Sequence, residues 1–143
     1  MYTVEELHQQ NREISQLLDV LGVLVERREL HNNPFVCELM GRFREKVWIH
    51  LVFENNTVYA ELANDSDKRV AETAQRFHDS ARRIKKRFAG YVRQYCMAEI
   101  SDTEHAALLE ESREIFAMIR DRVRFEEKYM FPLLEKHAQQ NAV

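Results

Sequence analysis

From Val36 to Leu62 inward-facing positions recur at steps of three and four: Val36, Met40, Phe43, Val47, then His50 and Glu54, then Val58 and Leu62. That spacing places every member on one face of an α-helix, and a strand has no face with that period. Three more stretches repeat the pattern. Val4, Leu7, Asn11, Ile14, Leu18, Leu21 and Val25 form one stripe. Val70, Ala74, Phe77, Ala81, Ile84, Phe88 and Tyr95 form another, with His78 at its flank. Leu108, Ser112, Ile115, Ile119, Arg122, Glu126, Tyr129 and Leu133 form the last. With 3 glycines and 2 prolines in 143 residues, little material is left for tight turns. The fold class expected is all-α.

Capping residues divide the chain. Thr3 with Glu6, and Ser101 with Glu104, have the spacing of capping boxes, and Asn33 before Pro34 is a cap followed by a first-turn proline. The second helix is expected to run to about Ala63, with Asn64, Asp65 and Ser66 ending it and capping the third. The pattern fades from Tyr95 to Ile100, Pro132 is expected to bend or locally break the last helix, and the tail from Gln139 is expected to fray. Short connections force successive helices side by side, so the architecture is an antiparallel up-down-up-down four-helix bundle, one domain over 1–143.

A net charge of −3 shows no general commitment to nucleic acid or membrane. No apolar run reaches the ~20 residues that span a bilayer. The start, MYTVEELHQQ, lacks the basic and apolar blocks of a signal peptide, so a cytoplasmic location is expected. Cys37 and Cys96 have no CxxC spacing and read as reduced thiols. The basic run Ala81–Phe88, ARRIKKRF, reads as a solvated helical face balanced by Glu110, Glu111, Glu114 and Asp121, and nucleic-acid binding is not expected.

The bundle topology allows heights to be matched. With turns centred at about residues 32, 65 and 99, equal steps back and forward along neighbouring helices fall level. Asn11, His50, Glu54, His78, Arg122 and Glu126 then share one layer of the core. A histidine and a carboxylate inside an apolar stripe require either a metal ion or a closed hydrogen-bond network.

The segments HLVFENNTVYAEL and RVRFEEKYMFPLL resemble the second- and fourth-helix motifs of hemerythrin-like proteins, the HHE cation-binding family. Tyr59 matches the usual aromatic, Ala60 stands where proline is common, and Met130, Phe131 and Pro132 match the fourth-helix ending. The resemblance covers nearly the whole chain. It implies a four-helix bundle holding a non-haem di-iron site, with His50, Glu54, His78 and Glu126 at ligand positions. Two positions depart from it: Asn11 stands at the first-helix histidine, with His8 one turn earlier as a displaced substitute, and Arg122 stands at the fourth-helix histidine.

Arginine stays protonated and has no lone pair for a metal. It pairs well with carboxylates, and with neutral histidines Arg122, Glu54 and Glu126 together carry −1. The expected occupant of the layer is therefore no metal or a single partly occupied ion, iron first, and not a full di-iron centre. The alternative is a mononuclear site from His50, Glu54, His78 and Glu126 with Arg122 swung outward, in a protein that by resemblance senses or carries oxygen or nitric oxide. Around His50 the second helix is apolar on nearly every side, and the Trp48/Val52 face is expected to meet a second copy or another protein. With no nucleophile beside a base and no phosphate loop, no enzymatic activity is expected, and the function expected is regulation or protein interaction.

Overall fold

Thr3 opens the first helix by accepting the Glu6 N–H on its hydroxyl at 3.1 Å. In the computed structural model, which describes residues 3–96 and 100–140, that helix is α1, Val4–Leu24. The reciprocal Glu6 bond of a full capping box is not made. A 3₁₀ turn at Arg28–Leu30 follows, and Asn32 takes a φ of 59°, a left-handed conformation that asparagine tolerates better than most residues. Asn33 then caps α2, Pro34–Glu54, by accepting from the Phe35 and Val36 N–H groups, with Pro34 in its first turn.

The second rod does not stop at Glu54. It widens into a π turn over Asn55–Tyr59 and resumes as α3, Ala60–Leu62. No proline enforces this turn. Thr57 instead donates its hydroxyl to the Phe53 carbonyl at 2.6 Å, a side-chain bond that competes with the helical ladder. The third rod is α4, Lys68–Tyr95. Its cap is Asp67, not the 64–66 segment, because the Asp65 carboxylate is turned to the Asp67 N–H and to His137. Ser101 and Glu104 form the expected capping box at the start of α5, Asp102–Phe125. The Tyr95–Ile100 connection lies partly outside the described residues, as does the end of the tail.

The disturbance expected at Pro132 takes the form of a second π turn, Glu126–Met130, after which α6 runs Phe131–Gln140. There the Phe131 N–H reaches back five residues to the Glu126 carbonyl. A π turn holds more residues than an α turn, so the stripe advances by a full four residues, from Glu126 to Met130. Met130 and Phe131 are buried, and Tyr129, expected inside, is 50 % exposed.

The first rod packs on the second and fourth, and the third does the same from the opposite side, which closes a four-helix bundle. Among the described residues there is no strand, and no helix is long and apolar enough to cross a membrane. The core comes in two apolar parts. One is built around Met40, Phe43, Phe88, Tyr91, Ile115 and Phe116. The other, around Leu7, Val58, Leu62, Phe77, Met130 and Phe131, fills the opposite end. Buried Asn11, His50, Glu54 and Glu126 lie between them along the stripes.

Within the first part Tyr91 shares a 2.6 Å hydrogen bond with Ser112, whose hydroxyl also bonds the Leu108 carbonyl at 2.9 Å. Ser112→Ala strands a buried phenol and is expected to cost about 1–3 kcal/mol. The double variant Ser112→Ala with Tyr91→Phe should recover part of that loss in urea unfolding, giving a coupling energy in the cycle.

Candidate metal centre

His50 and Glu54 sit one turn apart at the end of α2, and Glu126 begins the widened turn after α5. All three are nearly inaccessible, at 3 %, 1 % and 0 % exposure. His50 Nε2 lies 2.9 Å from Glu126 Oε1 and 3.1 Å from Glu54 Oε1, so one ring nitrogen faces both carboxylates. The other nitrogen, Nδ1, is 2.6 Å from Gln10 Oε1 on α1. A carbonyl oxygen only accepts, so Nδ1 carries the hydrogen in this pairing, and Nε2 is left to present a lone pair or a second N–H to the carboxylates.

Arg122, one turn before Glu126, points inward and uses its whole fork. Nε donates to Glu126 Oε2 at 3.1 Å, and Nη2 to Glu54 Oε1 at 3.4 Å. Nη1 donates to Ser80 Oγ at 2.7 Å and to the Phe77 carbonyl at 3.1 Å. The guanidinium also lies 3.7 Å from the centre of the Phe77 ring. Four acceptors and a ring face hold one cation between the second, third and fourth rods.

The two carboxyl groups are pushed in opposite directions. Burial, and then the adjacent Glu126 charge, raise Glu54 well above its ordinary value of 4.5, against the pull of Arg122. Burial works in the same sense on Glu126, but His50, a hydrogen bond from Glu54 and Arg122 together outweigh it and hold that group below 4.5. Arg122 bonds both carboxylates, and of the two the ionised form is favoured at Glu126 and the protonated form at Glu54.

The remaining residues of the layer divide. Asn11 is buried and donates to Glu127 Oε1 at 3.1 Å, while its own Oδ1 has no partner among the described residues. His8 pairs with the other oxygen of Glu127. Both thus reach the layer's edge through Glu127. His78 is not in the cluster: it stacks on Tyr59, rings 4.1 Å apart and 15° from parallel. The inward position at that height belongs to Phe77, under the Arg122 fork. Sequence spacing did not single out Gln10, Ser80 or Glu127. They neighbour stripe residues without belonging to a stripe, so period alone carries no signal for them.

Ligand atoms of His50, Glu54 and Glu126 all lie within 4.8 Å of one another, a spacing that one small cation can span. The second oxygen of Glu54 has no hydrogen-bond partner among the described residues and is free to coordinate. Against this, the Arg122 guanidinium stands 3.1 and 3.4 Å from the same two carboxylates and repels a cation there.

A family model, the hemerythrin HHE cation binding domain, matches residues 2–139. Searches of curated proteins and of solved structures found no match.

Proposed function

From the premise that the chain belongs to the hemerythrin HHE cation-binding family, we propose that its core layer has exchanged a two-metal site for an arginine-centred network. The carrying observation is the Arg122 fork, bonded at once to Glu126 and Glu54. Three donors converge in the layer, too few for two ions, and the charge that ions would supply is already there in the guanidinium. A single ion is the most that His50, Glu54 and Glu126 would hold, and it would have to displace the Glu54 proton and the arginine.

On this reading the bundle is not an enzyme and works in the cytoplasm through its surface, in regulation or protein interaction. Trp48, Ile49 and Val52 support it: they leave an apolar strip on α2 that is 45 %, 43 % and 36 % exposed, with Lys85 5.0 Å over the Trp48 ring. A homodimer or another protein would cover that strip.

The second reading is a weak mononuclear iron protein, which by family would sense or carry oxygen or nitric oxide. The Gln10 contact favours it. An oxygen partner on Nδ1 is what orients a histidine to ligate through Nε2.

Metal analysis of protein purified without chelator or histidine tag separates the two. The expected result is iron far below stoichiometric, with a cooperative fold intact. Stoichiometric iron that disappears in His50→Ala would defeat the arginine-centred reading. Arg122→His should raise iron retention, because it removes the opposing charge and adds a donor at the layer. If iron content does not change in that variant, Arg122 is not the obstacle.

A further inference from the structure

Beside the core layer a groove of about 920 Å³ opens between α4 and α5. Its walls include Phe77, Ile84, Met118 and Phe125, so its interior is mainly apolar. Its volume falls within the roughly 300–1,000 Å³ of ordinary small-molecule sites. The polar groups inside are already used: Thr73 donates its hydroxyl to the Arg69 carbonyl, and Ser80 is bonded to the Phe77 carbonyl and to Arg122. The α4 edge carries Arg76, Arg83 and Arg87.

These arginines differ. Arg87 is tied down by Glu111 and Glu114. Arg76 and Arg83 have no ion-pair partner among the described residues. They stand seven residues apart on α4, two turns or roughly 10 Å of rise, with their long arms on the same edge of the groove. The one carboxylate in the lining, Asp121, is engaged by Arg124 at 3.6 Å. An apolar trough edged by two unpaired guanidinium groups is complementary to a molecule with an aliphatic body and one anionic end.

We propose that this groove binds an unbranched aliphatic carboxylate of fatty-acid type. The chain lies on Phe77, Ile84, Met118 and Phe125, and the carboxylate is held between Arg76 and Arg83. The proposal goes beyond the reading of the core layer and does not depend on it. Arg122 forms the inner wall with each of its three nitrogens already bonded, and the headgroup is assigned to the two unpaired arginines instead.

The test is isothermal titration calorimetry of the full-length chain with dodecanoate, kept below its micelle-forming concentration. Saturable one-to-one binding is expected. The double variant Arg76→Gln with Arg83→Gln should weaken it by about tenfold or more, the scale of a lost hydrogen bond to a charged group. Met118→Glu should remove it, Arg93→Gln should leave it unchanged, and thermal melts confirm that each variant folds. Dodecylamine and acetate are the ligand controls. Equal binding of dodecylamine overturns the role of the arginines, and equal binding of acetate overturns the role of the apolar floor. Absence of saturable dodecanoate binding, or binding only to anionic lipid vesicles, overturns the proposal. Each of these outcomes leaves the metal content of the core layer untouched, so this proposal and the core reading fail separately.

Discussion

Arg122→Met is expected to lower the unfolding free energy by about 3–5 kcal/mol, because it leaves a buried carboxylate without its cation. In a chain of this length that corresponds to a fall in Tm of roughly 6–20 °C. The loss should exceed that of an ordinary surface arginine because Arg122 bonds Glu126, Glu54, Ser80 and the Phe77 carbonyl together. Arg122→Lys should fall between: a lysine keeps the charge but cannot fork across two carboxylates and a backbone oxygen. Removing the carboxylates along with the arginine, as Arg122→Met with Glu54→Leu and Glu126→Leu, should recover much of the stability. Uncompensated charge, and not the absence of the network, is what destabilises. A loss under about 1 kcal/mol for Arg122→Met would place that side chain among the surface arginines and sink the arginine-centred reading.

The two carboxyl groups should respond unequally to amide substitution. Glu126→Gln removes the ionised partner of Arg122 and is expected to cost about 3 kcal/mol at neutral pH, less to the extent that Glu54 ionises in its place. Glu54→Gln replaces a group that already keeps its proton and should cost little or be stabilising. The pH dependence gives the sign. Glu126 is lowered on folding, so its contribution is present above 4.5 and is lost as pH falls through the folded value. Glu54 is raised on folding, so its contribution is complete below 4.5 and declines as pH rises toward the folded value. Glu54→Gln should therefore match the parent in acid and gain on it as pH increases, by up to about 1.4 kcal/mol per pH unit over the shifted range. Urea titrations at a series of pH values measure this. Equal losses for the two amide variants at neutral pH would show that the proton is not placed as described.

The bundle and its buried layer were legible because both follow from period. Caps at Thr3, Asn33 and Ser101 and stripes at steps of three and four define rods, and short connections then fix which residues lie level. His50, Glu54, Glu126 and Arg122 met as that counting predicts. Height alone does not fix rotation. His78 is level with the layer yet lies about 100° round the helix from Phe77, enough to send it to Tyr59. Tyr129 failed for a related reason: an α period was carried through a π turn, and burial passed to Met130. In the second rod the steps His50, Glu54, Val58 and Leu62 are all four, longer than an α-helix sustains on one face, and they already contained the widened turn. The upward shift of Glu54 had no sequence signal, since it arises from burial against a second carboxylate.

The widened turns at Asn55–Tyr59 and Glu126–Met130 make the winding of the backbone itself a determinant of the core. Each acts as a one-residue insertion beside a buried carboxylate. Deleting a single residue from 55–59 would leave His50, Glu54, Glu126 and Arg122 untouched and allow an unbroken α-helix. It would also keep α3 in rotational phase, so that Leu62 still faces Leu7 and Phe131, whereas winding all five residues as α-helix without a deletion would turn α3 by about 100°. At these two turns the looser winding, by taking up one extra residue, lets the apolar end of the bundle close over the layer.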